Sequence, residues 1–136
     1  MKRFIQCVCL ILVLSTCLAI PAAAAEEISP WASNYFFSDG GYLWWTSSTS
    51  FQVEFNVTGV DIMNEIGVSE IKVQRSSDNT NWETVATYGK MVATNTASHA
   101  GYVTYSSAVS GYSYRAKITF YAKKDTGWAE YTYYAY

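Results

Sequence analysis

Beyond its first 25 residues the chain has no cysteine and one histidine, His99; Cys7, Cys9 and Cys17 all lie ahead of that point. The remaining domain is therefore expected to hold together by its core alone, without a disulfide, which is unusual for a small secreted eukaryotic module and points to a bacterial exporter. Cys–His catalysis and multi-histidine metal sites are excluded with the missing residues. Ser98 precedes His99, but neighbours on an extended chain point apart, and no Gly-x-Ser-x-Gly elbow is present. His99 is expected in a loop, bonding backbone. Basic residues are also scarce: seven against eleven acidic ones after Ala25, a net charge of −4. Nucleic acid and anionic membrane surfaces both need a basic face, so neither is an expected partner.

Long apolar runs are missing too, with one exception at the start. Lys2 and Arg3 precede an apolar stretch from Phe4 to Ile20, then Pro21-Ala22-Ala23-Ala24-Ala25 and Glu26-Glu27. A basic start, a short apolar stretch and an Ala-x-Ala site describe a cleaved secretory signal peptide over residues 1–25. A spanning helix would want a longer run and anchoring residues on both flanks. Leu14-Ser15-Thr16-Cys17 is a loose lipoprotein-type box, but Thr16 fits poorly before a modified cysteine and apolar Leu18-Ala19-Ile20 follows it. The expectation is one secreted domain over residues 26–136, free of the membrane once processed.

Aromatic residues and period-two alternation are what the chain has in plenty, including five Trp and twelve Tyr. Over Ser50–Thr58, Phe51, Val53, Phe55 and Val57 alternate with Gln52, Glu54 and Asn56. Over Val68–Ser76, Ile71 and Val73 alternate with Glu70, Lys72 and Gln74. Over Tyr112–Ala122, Tyr112, Tyr114, Ala116, Ile118 and Phe120 alternate with Ser113, Arg115, Lys117, Thr119 and Tyr121. Such segments are strands buried on one face, as in antiparallel sheets. Weaker strands are Tyr42–Thr46, Trp82–Tyr88, Gly101–Ser106 and Trp128–Tyr136. Turn residues separate them at Asp39-Gly40-Gly41, Ser77–Asn81, Ser110-Gly111 and Lys124–Gly127. Asp61–Ile66 reads as a helical turn with Asp61 as N-cap and Gly67 as stop, and Met91–Ala100 as a long connection. The sum is an all-β domain, a single antiparallel β-sandwich of about seven strands in the immunoglobulin or fibronectin III manner. A small β-barrel is the alternative.

Ile71–Val85, with its Ser-Asp-Asn turn and Trp82, is similar to the strand–turn–strand of many extracellular β-sandwich modules. Tyr112–Ile118 is similar to the penultimate strand of fibronectin type III domains. With Met63–Val68, Asn95–His99 and Tyr114–Lys123, the chain resembles a group of small exported proteins of unknown function from Gram-positive bacteria. That likeness implies an extracellular compartment and a β-sandwich; it implies no activity and no site residues.

Enzymatic work is not expected. Glu54, Glu70, Glu83 and Glu130 mostly take outward positions rather than sharing a cleft, as a two-carboxylate hydrolase would need. Asp78–Glu83 is rich in oxygen but lacks the ligand spacing and glycine of a calcium loop, so neither metal nor cofactor is expected. Functional reach lies with the aromatics. Trp44 and Trp45 are adjacent on one strand, so they face opposite sides; parity slightly favours Trp45 as the exposed member. Trp44, Trp45, Trp82 and Trp128 are the candidate ligand-binding residues, for a cell-surface glycan or a protein. The competing expectation is a self-associating structural protein, since Ile118–Ala122 and Tyr131–Tyr136 are uncharged and β-prone.

Overall fold

The computed structural model describes residues 34–136; the expected signal peptide lies outside the described residues. Six strands form one antiparallel sheet: β1 (Phe36–Trp45), β2 (Phe51–Ser76), β3 (Glu83–Tyr88), β4 (Met91–Tyr105), β5 (Ser113–Lys124) and β6 (Gly127–Ala135). The organising element is β2, 26 residues long. Along one of its edges lie β1, opposite Phe51–Gly59, and then β5, opposite Glu65–Ser76, with β6 beyond β5. Along its other edge run β4 and then β3.

The sheet curls into a half-barrel, so the two ends of β2 come face to face. Phe51 at its start packs against Tyr114 of β5, which is registered with Arg75 near its end; the ring centroids are 5.4 Å apart. At the opposite end of β1, Phe36 meets Tyr131 of β6 at 4.9 Å. On the open side, the Tyr88 hydroxyl donates to the Thr104 carbonyl at 2.7 Å, tying the end of β3 to the far end of β4. The fold is all-β and antiparallel, as the alternation requires, and one curled sheet does the work of both layers of a sandwich.

The alternating segments bury the residues expected of them. Phe51, Val53, Phe55, Val57, Ile71, Val73, Tyr114, Ala116, Ile118 and Phe120 form one core with Met63, Ile66, Val68 and Ala122. Tyr112 is the exception: it precedes β5, is 40% exposed and lies under the Arg75 guanidinium. Alternation counts inward positions only while neighbouring strands pin the chain, and Tyr112 lies one residue before that pinning begins.

The expected segmentation is corrected in several places; Asp39-Gly40-Gly41, expected as a separating turn, lies within β1. The strands foreseen at Ser50–Thr58 and Val68–Ser76 are one strand, giving six strands rather than seven, and Asp61–Ile66 is extended rather than helical. The buried residues there fall at Met63, Ile66, Val68 and Ile71. The step from Val68 to Ile71 spans the irregularity between Val68 and Glu70, whereas that from Met63 to Ile66 falls where the register with β4 is continuous. A step of three imitates helical spacing, but here β4 and β5 pair with both edges of β2 and satisfy its backbone. Gly67 is the close-approach point of the bend rather than a helix stop. Its φ is +155°, and a Cβ there would run into the Met91 carbonyl and come within 2.8 Å of the Val92 Cα.

Met91–Ala100, expected as a connection, is the first two-thirds of β4. Small polar residues blur its alternation, and Asn95, between the pairs Thr96–Met63 and Thr94–Glu65, adopts φ 52°, a left-handed conformation that Asn tolerates. His99 accordingly sits in a strand, half-buried with its ring 5.6 Å from Phe55, not in a loop.

Candidate functional site

In an antiparallel ladder, residues directly opposite one another share a face. The register of β1 and β4 on the first half of β2 therefore builds the outer face in rows. Trp44, Gln52 and Thr104 make one row; Tyr42, Glu54 and Tyr102 the next; Gly40, Asn56 and Ala100 the third. Two-residue steps separate rows by about 7 Å, and two strand spacings place Tyr42 and Tyr102 about 10 Å apart across Glu54. Large side chains in the first two rows and small flanking residues in the third leave an open depression of about 400 Å³. Tyr42, Glu54, Asn56, Ala100 and Tyr102 line it, over Phe55 and Gly101. Gly101 is fitted to its place, since a Cβ there would stand 2.9 Å from the Phe55 ring.

The aromatic members are wet: Tyr42 is 48% exposed, and Trp44 and Tyr102 are each 61% exposed. Glu54 is half-buried between the tyrosines and accepts a 2.6 Å hydrogen bond from the Tyr42 hydroxyl. That bond to a carboxylate, with the carboxylate's charge behind it, raises the Tyr42 phenol above the ordinary tyrosine range. A phenol so held stays protonated and keeps Glu54 in one position on the platform.

Charge is divided sharply between the halves of the sheet. From residue 34 to 71, and again from 91 to 114, there is no lysine or arginine. The platform strands β1 and β4 are thus without lysine or arginine. Lys72, Arg75, Lys90, Arg115, Lys117, Lys123 and Lys124 belong to the other half or its connections. There they cover aromatic rings: Arg115 lies over Trp82 at 4.2 Å and over Tyr134 at 4.4 Å, Arg75 over Tyr112, and Lys90 over Tyr121. Arg115 also donates from Nε to Gln74 Oε1 at 2.8 Å.

The four candidate tryptophans do not converge. Trp44 belongs to the platform. Trp45 is 49% exposed but faces inward at the end of the curl, 4.9 Å from Phe51 and 5.9 Å from Tyr114. Both indoles touch solvent, and the freer one is Trp44, against the slight preference for Trp45. The parity argument separated the two faces correctly but could not say that the inward face ends at Trp45. Trp82 lies beneath Arg115, with Tyr136 edge-on at 6.4 Å. Trp128, 63% exposed, stacks on Tyr121 at 6.4 Å, with Lys90 over that tyrosine. Tyr42, Glu54, Asn56 and Tyr102 were not among the candidates. Tyr42 shares the parity of Trp44 and Glu54 reads as outward, so half of the platform follows from alternation; Tyr102 joins it only through the β2–β4 register.

Asp78 belongs to a turn. It accepts hydrogen bonds from the Asn81 backbone and side chain, the Thr80 backbone and the Ser76 hydroxyl. These hold its carboxyl far below the usual range, the Asn81 backbone N–H contributing most. The chain matches no known protein family, and no curated protein or solved structure is significantly similar to it.

Proposed function

We propose that this protein is a secreted, non-catalytic binding module whose outer-face platform of Tyr42, Trp44, Glu54, Asn56 and Tyr102 takes a cell-surface glycan. One observation carries the reading: three solvent-exposed aromatic side chains share one face of three adjacent strands around a half-buried carboxylate and an amide. Wide rings set on a rigid sheet offer contact area at little entropic cost, and the polar groups between them orient hydroxyls. Glu54 is the one carboxylate lining the depression, and it is bonded to a phenol rather than set opposite a second acid, which favours binding over hydrolysis. Export would be directed by residues 1–25, and a Gram-positive bacterial origin accords with a cysteine-free secreted domain.

Self-association is less well supported. Ile118–Ala122 lies within β5, paired on one side to β2 and on the other to β6, so a zipper through it requires unfolding; Tyr131–Tyr136, on β6 and its end, pairs only with β5 and is the segment left to this reading.

The test is a glycan array probed with the domain over residues 26–136, its Tyr102→Ala variant and a Trp45→Ala control, alongside sedimentation of each sample. The reading expects a folded Tyr102→Ala protein that loses glycan retention. Undiminished retention by that variant would remove the platform as the site, and concentration-dependent assembly without glycan binding would favour the structural protein.

A further inference from the structure

The two halves of the outer face differ in what covers their aromatic rings. In the second half, Trp82, Tyr121 and Tyr134 each have a guanidinium or ammonium of the same chain above them, and the exposed Trp128 stacks on the covered Tyr121. In the first half the platform strands have no such group to offer. Glu54 is in none of the ion pairs found among the described residues, which join Lys72 to Glu70, Arg75 to Glu83 and Lys90 to Glu65. The hydroxyl that donates to it, from Tyr42, is neutral. The platform thus combines exposed π-faces with a carboxylate whose charge no neighbouring cation balances. That is the combination which attracts an organic cation: ring quadrupoles favour positive charge over their faces, and aromatic cages use the same attraction to hold quaternary ammonium groups. A carboxylate at the centre adds attraction in the half-buried setting, where water screens it less than at an open surface. An acidic ligand would meet uncompensated repulsion at the same place.

We infer that the Tyr42–Glu54–Tyr102 cradle binds an ammonium group, so that the ligand is a saccharide or head group carrying positively charged nitrogen. Placement supports this as well as charge. Glu54 sits in the middle strand with a tyrosine on each side in the same row, Trp44 occupies the next row, and small residues open the third. A saccharide could lay its cationic unit in the row of Glu54 and a neighbouring ring toward Trp44.

The inference rests on the platform being the binding site, and the experiment separates the two claims. Calorimetry would follow titration with an oligomer of glucosamine, its fully N-acetylated neutral counterpart, and tetramethylammonium. Variants would be Glu54→Gln, which keeps an acceptor for Tyr42, and Tyr102→Ala. The glucosamine oligomer is expected to bind about tenfold or more tightly than the neutral one at low salt, with the gap closing as salt rises. Glu54→Gln should abolish that preference, and Tyr102→Ala should weaken binding of both oligomers. Equal affinity for the two oligomers, or a preference that survives Glu54→Gln, overturns the ammonium cradle even if Tyr102→Ala still upholds the platform. Binding of tetramethylammonium without either oligomer would keep the cradle and overturn the glycan reading. Failure of all three probes overturns both.

Discussion

The halves of the curled sheet are built from the same materials and finished differently. Around β5 and β6, Trp82, Tyr121 and Tyr134 carry arginine or lysine above them, while Trp128 is 63% exposed and stacked on Tyr121. Around β1, the start of β2 and β4, aromatic side chains of comparable size stand in solvent beside a carboxylate, with no lysine or arginine on those strands. Exposed tryptophan and tyrosine are therefore not one feature in this molecule. Trp82 is half-buried under a guanidinium and is explained by packing; Trp44 and Tyr102 have no such explanation, and large exposed apolar groups gathered on one face mark interaction surfaces. What distinguishes a structural aromatic from a binding one here is the chemistry lying over it, not its exposure alone.

That contrast can be broken at several points. The strongest intervention strikes the core that both halves share. Phe55→Ala should cost about 3–5 kcal/mol through the cavity it leaves, a large share of the roughly 5–15 kcal/mol available to a domain of this kind. Because Phe55 also floors the depression, denaturant unfolding should show the loss and binding should fall with it; a loss below about 1 kcal/mol would contradict its place in the core. Next comes the tryptophan pair. Trp45→Ala removes two aromatic contacts at the end of the curl and should cost about 1–3 kcal/mol, whereas Trp44→Ala should stay within about 0.5 kcal/mol of the parent and lose ligand. Thermal melts beside a binding assay decide this, and equal destabilisation by both substitutions would make Trp44 structural.

A smaller effect is expected in the second half. Arg115→Ala should destabilise by about 1 kcal/mol, through lost stacking on Trp82 and Tyr134, without touching affinity; a change in binding would mean that the covered face also takes part. The smallest concerns pH. The folded state holds Asp78 well below its ordinary value, so its stabilising effect is fully present above the unfolded carboxyl pKa of about 3.9 and fades as pH falls below it. Melting temperatures of the parent should drop over that acid range by more than those of Asp78→Asn, which has no charge there to lose; parallel curves would show that the turn bonds do not depend on the carboxylate's charge.

Legibility followed the physics of each segment. Where bulky apolar and polar residues alternate strictly, as from Phe51 to Val57 and from Tyr114 to Phe120, burial of one face dictates strand and register together, and those core positions were readable. Where the inward spacing departs from two or the side chains lose contrast, the pattern misleads. The inward step from Met63 to Ile66 imitates a helix, and Thr94–Ala100 has side chains too small and too polar to declare a face. The site divides in the same way. Trp44 and its parity partner Tyr42 lie within one strand, whereas Tyr102 is brought beside Glu54 by a pairing between residues 48 positions apart, which no local pattern encodes.

By itself the sequence determined that the domain is all-β and antiparallel, that it has no disulfide to rely on outside residues 1–25, which residues fill most of its core, and that Trp44 and Trp45 must point to opposite faces. These follow from short-range causes: side-chain alternation, composition and the geometry of an extended chain. Only the tertiary structure decided that two strands are one, that the sheet curls until Phe51 meets Tyr114, and that Trp45 is the inward indole. It also decided that Tyr42, Glu54 and Tyr102 share a row whose flanking strands, β1 and β4, lack lysine and arginine. Long-range pairing sets each of these, because a register between distant strands is chosen by the whole buried face at once, and a face exists only after the strands have met.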